Sequence, residues 1–285
     1  MKRVMVPLAV IAALTAGVSG YLLFGATPAT PPATGPAIVP YEAQSQERID
    51  KSPRHGEWIE IKVPGREKPM KTWIVYPERA DKAPVVMVIM EIFGMTPWIR
   101  ATTDQLAADG FIAIAPDFLS GKGPNGGDVS ADQARGVISS VRQPEVTTDL
   151  NAVREYALKI PAANGKIASI GFCWGGGMSF GYAVDQPALD AAVVCYGTPP
   201  ADDAIAKIKA PIAGFYGGND ARITATVPAT TEKMKAAGKT YEPHVYDGAG
   251  HGFMRQHAPG DSAANQKAAS EAWPLVIKFL KEKTK

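Results

Sequence analysis

The sequence predicts an α/β fold, a mostly parallel sheet with helices on both faces and no separate cap domain. Three observations lead there. Short apolar runs recur along the chain, helix-like segments separate them, and most of the runs lack the polar alternation of a half-exposed strand, as in sheets covered on both sides. Composition agrees: 285 residues with 46% hydrophobic and 20% charged side chains exclude a disordered chain, and two cysteines cannot build a disulfide framework. Thirty Lys and Arg face 28 Asp and Glu, and Lys2 and Arg3 alone match the net +2, which leaves no electrostatic case for nucleic acid.

Residues 1–36 stand apart from this pattern. Lys2 and Arg3 precede an uncharged apolar run over 4–24, about long enough to cross a bilayer, and GATPATPPATGPAIVP continues as a Pro/Ala/Thr linker that cannot form a core. We expect an export signal, cleaved near the small residues 25–29, with the periplasm as destination; the alternative is an uncleaved membrane anchor through residues 4–24. Residues 37–285 contain no second linker and no internal repeat, a length that one domain can bury.

Within that domain, 57–63 and 71–76 read as β-rich segments forming an antiparallel start. Apolar strands follow at 85–90, 111–115, 167–171, 191–196 and 212–216, separated by helices near 98–109, 131–140, 146–159 and 176–184. A helix over 227–237, a strand over 241–246 and a helix over 263–281 complete the series. Ligands of such sheets bind beyond the carboxyl ends of the strands, so the strand ends are where chemistry is sought.

One strand end carries Gly171-Phe172-Cys173-Trp174-Gly175 and opens a helix, which matches G-x-S-x-G with Cys in place of Ser. A sharp strand-to-helix turn needs glycines two places either side of the nucleophile, and it aims the amides of the new helix, Trp174 first, at a developing oxyanion. The pattern alone leaves a glycine-rich packing turn with an inert cysteine open. Two later strand ends bear on it: 212–216 runs into Gly217-Gly218-Asn219-Asp220, and 241–246 runs into Asp247-Gly248-Ala249-Gly250-His251. Nucleophile, acid, histidine is the chain order of an α/β-hydrolase triad, with His251 as general base and Asp220 fixing its tautomer. A thiol is a weak nucleophile until ionised, so a neighbouring base is what Cys173 requires. Asp247, in the same turn as His251, reads as a turn former rather than the acid.

At this point the chain resembles the dienelactone hydrolases, the carboxymethylenebutenolidase-like α/β-hydrolases. The resemblance rests on GFCWGG around Cys173, GGND ending at Asp220, GAGHGF around His251 and EIFG from Glu91 to Gly94, and it extends from about residue 85 to the carboxyl terminus. It implies that Glu91 contacts the nucleophilic thiol and helps form the thiolate, and that the Ile92 amide is the second oxyanion donor beside Trp174. It implies that Arg255 binds a substrate carboxylate, with Arg135 as the best match for a second such arginine in an unfamiliar loop-helix region, and that Arg100 is mainly structural. Relatives often carry Leu where this chain has Trp174, which puts substrate shape in question.

The activity this implies is hydrolysis of an ester or enol-lactone through a Cys-His-Asp triad and a thioester acyl-enzyme, on a small-molecule substrate with no metal or organic cofactor. Rival readings are a broader carboxylesterase or thioesterase on the same fold and a non-catalytic binding protein. His55, His244, His251 and His257 show no recognised zinc spacing with the cysteines. Cys195 reads as a buried apolar group, a disulfide with Cys173 being the other reading in an oxidising compartment. Oligomeric state is not legible.

Overall fold

In a computed structural model that describes residues 38–285, the apolar runs become the middle of one eight-stranded sheet. The described chain opens with a 3-10 turn (Glu42–Gln44) and a short helix α1 (Ser45–Asp50), then β1 (Gly56–Ile61), β2 (Met70–Val75) and β3 (Ala83–Ile89). Helix α2 (Pro97–Ala108) and β4 (Ile112–Pro116) follow, then α3 (Ala131–Ile138), α4 (Gln143–Ala157), β5 (Ala163–Phe172) and α5 (Trp174–Asp185). The remainder is β6 (Ala191–Cys195), β7 (Ile212–Gly217), α6 (Ala221–Thr224), α7 (Val227–Ala236), β8 (Tyr241–Tyr246) and α8 (Ala263–Lys283). The segment expected to export or anchor the chain, 1–36, lies outside the described residues.

Spatial order is β1-β2-β4-β3-β5-β6-β7-β8, with β1–β2 and β2–β4 antiparallel and every later pair parallel. Sequence character explains position. Every residue of β4, β6 and β7 is buried, whereas β1 and β8 at the two edges mix exposed and half-buried residues. After β3 the chain places β4 on one side and β5 on the other, which makes a crevice at the carboxyl ends of β3 and β5. Glu91 follows the end of β3 and Cys173 follows the end of β5, so the topology alone brings those two residues to one place.

Element boundaries differ from the sequence reading where turn chemistry decides them. Helix α4 starts at Gln143 rather than 146, because Pro144 in its first turn supplies the fixed φ of a helix start. Helix α5 begins at Trp174 rather than 176, directly after Cys173. Strand β5 extends back to Ala163, which pairs with Ala83.

The polar stretch before β1 folds back on α2. Val39 is fully buried, Pro40 O accepts the Trp98 indole N–H at 2.7 Å, and Arg54 grips Asp104 through Nε at 3.0 Å and Nη2 at 2.5 Å. The Arg54 and Asp104 side chains are 15% and 7% exposed, so this pair lies in a setting where losing one partner costs about 3–5 kcal/mol.

Candidate active site

Cys173 sits at the apex of the turn with φ 58° and ψ −115°, a positive-φ conformation that costs a non-glycine residue about 1–3 kcal/mol. Its surroundings impose the turn. Its N–H donates to Cys195 O at 3.0 Å, and its own carbonyl accepts from Gly177 N–H at 3.2 Å. The glycines are needed for approach rather than flexibility: a Cβ on Gly171 would lie 1.9 Å from Gly175 O, and one on Gly175 would lie 2.4 Å from both Ile89 O and Met90 O. Helix α5 can therefore enter directly beneath the end of β3. Trp174 opens that helix, where an amide has no intrahelical acceptor. Ile92 lies in a turn closed by Gly94 N–H to Glu91 O at 3.2 Å. These are the two amides expected to face an oxyanion.

Asp220 and His251 come together because the loops after β7 and β8 are stitched to each other. Gly218 N–H donates to Tyr246 O and Asn219 N–H to Ala249 O, each at 2.8 Å, while Asn265 Oδ1 accepts from Gly250 N–H at 2.8 Å. The result is a His251 Nδ1 to Asp220 Oδ2 contact of 2.5 Å, with Asp220 buried and His251 half-buried. Hydrogen bonding with Cys173 raises the His251 pKa most strongly, burial opposes it and Asp220 adds to the rise, so that it is pushed up to about 9. With Nδ1 given to Asp220, Nε2 is the nitrogen left for the sulfur. Asp247 is exposed in the turn after β8, so the carboxylate on the histidine is Asp220.

Tyr196 is a site residue that sequence reasoning passed over. It ends the β6 run with φ 42°, is fully buried, and places its ring 5.0 Å from the His251 ring. Its hydroxyl donates to Glu91 Oε1 at 3.5 Å. Burial, with Glu91 next, pushes the phenol well above its usual range, so it stays a neutral donor.

Glu91 is 3% exposed and its other oxygen, Oε2, accepts from Arg255 Nε at 2.7 Å. Burial pushes this carboxyl up, against the pull of Arg255 and His251. The carboxylate expected at the thiol is thus engaged by Arg255 and Tyr196 here. Arg255, expected to receive a substrate carboxylate, is engaged by Glu91 and through Nη1 by Glu42, a residue with no part in the sequence reading of the site. Arg135 is exposed, but its guanidinium lies 5.1 Å from the centre of the Phe93 ring and that of Arg255 lies 4.9 Å from the same centre. The EIFG loop therefore brings both predicted arginines to one aromatic ring. Arg100 lies over Trp73 and reaches Gln46 from Nη2 at 3.3 Å, a packing role.

Cys195 is fully buried, its thiol pushed well up by burial, and both cysteines are free. Trp174 packs edge-on against Phe118 at 5.8 Å. A cleft of about 670 Å³ adjoins Phe93 and is lined by Trp58, Met95, Leu119 and Val129 among others; none of Cys173, Asp220 and His251 borders it. Among the described residues, no group of three His, Cys, Asp or Glu side chains is placed to hold a metal ion.

The model of the dienelactone hydrolase family matches residues 70–284. A Salmonella typhimurium protein assigned provisionally as a carboxymethylenebutenolidase is 31% identical over 231 residues, covering 76% of this chain and 84% of its own. Carboxymethylenebutenolidase 1 of Cupriavidus pinatubonensis is 30% identical over 209 residues, covering 71% and 88%. Among solved structures, a provisional dienelactone hydrolase from Klebsiella pneumoniae superposes with a TM-score of 0.70 at 28% identity, covering 80% of this chain and 99% of its own.

Proposed function

Because the chain belongs to the dienelactone hydrolase family, whose members act on ester or lactone bonds, we propose that it cleaves such a bond through a Cys173-His251-Asp220 triad and a thioester acyl-enzyme. The observation that carries the reading is the His251 Nδ1 to Asp220 Oδ2 contact of 2.5 Å, made by the loops after β7 and β8, together with Cys173 on a positive-φ elbow at the end of β5. The raised pKa of His251 makes its imidazole a stronger base, suited to taking the Cys173 proton so that thiolate and imidazolium are the attacking pair.

The sulfur attacks the carbonyl carbon, and the resulting oxyanion is received by the Ile92 and Trp174 amides. His251 gives its Nε2 proton to the departing oxygen as the C–O bond breaks, leaving a thioester and a neutral imidazole. The imidazole then takes a proton from water, whose oxygen attacks the thioester. Collapse releases the carboxylic acid and restores thiolate and imidazolium. A thiolate is less basic than an alkoxide and is itself readily expelled, so activated leaving groups such as enolates suit it, and an enol-lactone meets that requirement.

The test is mass spectrometry of acid-quenched protein during turnover of an activated ester. The expected result is an acyl adduct on the peptide bearing Cys173, with turnover at background in Cys173→Ala. Turnover that survives Cys173→Ala overturns the triad. We propose further that residues 1–36 export the chain to the periplasm with cleavage near 25–29; an intact amino terminus on membrane-bound exported protein overturns cleavage in favour of the anchor.

A further inference from the structure

We propose that Glu42 sets the charge selectivity of this site, occupying Arg255 so that the enzyme favours substrates carrying no carboxylate at that end. The inference rests on the functional reading above and deepens it.

Arg255 is confined on three sides. Nε donates to Glu91 at 2.7 Å, Nη1 donates to Glu42, and the guanidinium lies 4.9 Å from the Phe93 ring centre. A forked guanidinium is a general receptor for carboxylates, and here two of its nitrogens already hold one each. With those two nitrogens engaged, an incoming carboxylate reaches the full fork only by displacing a protein group. Glu91 is the more deeply buried of the two, its side chain 4% exposed and bonded to Tyr196 as well. Glu42 is the displaceable partner, with its side chain 60% exposed.

Glu42 is nonetheless delivered to Arg255 by the backbone. Its own N–H donates to Arg255 O at 3.1 Å, and the residues just before it are fixed by the buried Val39 and by the Trp98 indole on Pro40 O. The two residues therefore meet through main chain and side chain together. Chemically the site connects onward: Arg255 touches Glu91, Glu91 touches Tyr196, and Tyr196 packs on His251. A charge placed on Arg255 is thus three contacts from His251. Arg135 shares the Phe93 ring but is exposed, where water and salt weaken its hold on an anion.

The experiment compares kcat and KM for a carboxylate-bearing enol-lactone and its carboxamide, using the full chain and the variants Glu42→Gln, Glu42→Asp and Glu47→Gln. Glu47 makes the same charge change on α1, where its partner is Lys51 at 2.6 Å. In Glu42→Gln the anionic-to-neutral ratio of kcat/KM should rise about five- to tenfold, through KM of the anionic substrate. Glu42→Asp should fall back toward the parental ratio, and Glu47→Gln should keep it. An unchanged or lowered ratio in Glu42→Gln, or an equal rise in Glu47→Gln, overturns the proposal while leaving the triad intact. Absence of Cys173-dependent turnover of either substrate overturns both readings.

Discussion

The proposed triad and the arginine end of the site are both clusters of three charged or chargeable groups, and they end differently. Asp220, His251 and Cys173 run from a buried carboxylate through an imidazole to a half-exposed residue, so the last member is open to solvent. Glu42, Arg255 and Glu91 hold a cation between two anions, and neither end finishes on a nucleophile. Desolvation acts on Arg255 to lower its pKa, yet Glu91 and Glu42 outweigh it and the net shift is upward. A charge cluster with an open end is suited to moving protons, whereas a closed one fixes position and field. Tyr196, touching both, is where the two clusters meet.

If that contrast holds, damage to each cluster should register in a different measurement. Asp220→Asn keeps shape but no longer fixes the Nδ1–H tautomer or stabilises the imidazolium; kcat should fall on the order of 10²–10⁴-fold with the thermal midpoint nearly unchanged. Glu91→Gln should do the reverse. Arg255 loses its buried partner but retains Glu42, so the expected cost in urea denaturation is about 1–3 kcal/mol, below the ~3–5 kcal/mol of a buried charge left wholly unpaired, with a smaller loss in kcat than Asp220→Asn. Should Glu91→Gln leave stability intact and cut kcat as deeply as Asp220→Asn, the closed cluster is part of the chemistry and the contrast fails.

The same division separates what the sequence reveals from what it hides. Gly171, Cys173 and Gly175 are legible because a turn that brings Gly175 under Ile89 O and Met90 O excludes any side chain, and that demand is written in adjacent residues. Asp220 and His251 are legible because each closely follows a strand, β7 apolar and β8 half-exposed, in a succession of strands and helices recognisable along the chain. Glu42 is not, because it lies 213 positions from Arg255 in a polar stretch with no apolar periodicity. Helix α1 escapes for the same reason: its neighbourhood docks on α2 through the Pro40–Trp98 hydrogen bond and the Arg54–Asp104 pair rather than through an apolar stripe. Tyr196 falls within an expected strand, and nothing in AAVVCYG announces a backbone at φ 42° or a hydroxyl turned to Glu91. Local steric demands survive in a linear sequence; pairings that depend on which distant segment returns do not.

Two histidines offer the smallest but most discriminating test, because they sit in the two regions and titrate in opposite senses. His251 faces Cys173 and Asp220, and its folded pKa of about 9 stands above the 6.5 of an unfolded histidine. Its contribution to stability is therefore complete below pH 6.5 and is lost as pH rises through 9. His257 lies beneath the docked amino-terminal segment, its ring 5.8 Å from that of Tyr41, and burial lowers its pKa while Asp261 and the backbone at Val39 and Pro40 pull the other way. There the unfolded chain takes up the proton first, so stability is lost as pH falls below 6.5. Denaturation midpoints followed across pH should then show His251→Gln flattening the alkaline limb and His257→Gln flattening the acid limb, with the half-buried His244 retaining part of the latter. Both effects are expected to be modest, since His251 is partly exposed and His257 is one of several groups titrating on the acid side. If His257→Gln flattens the alkaline limb instead, His257 does not titrate independently of His251, and the opposition between the two histidines fails.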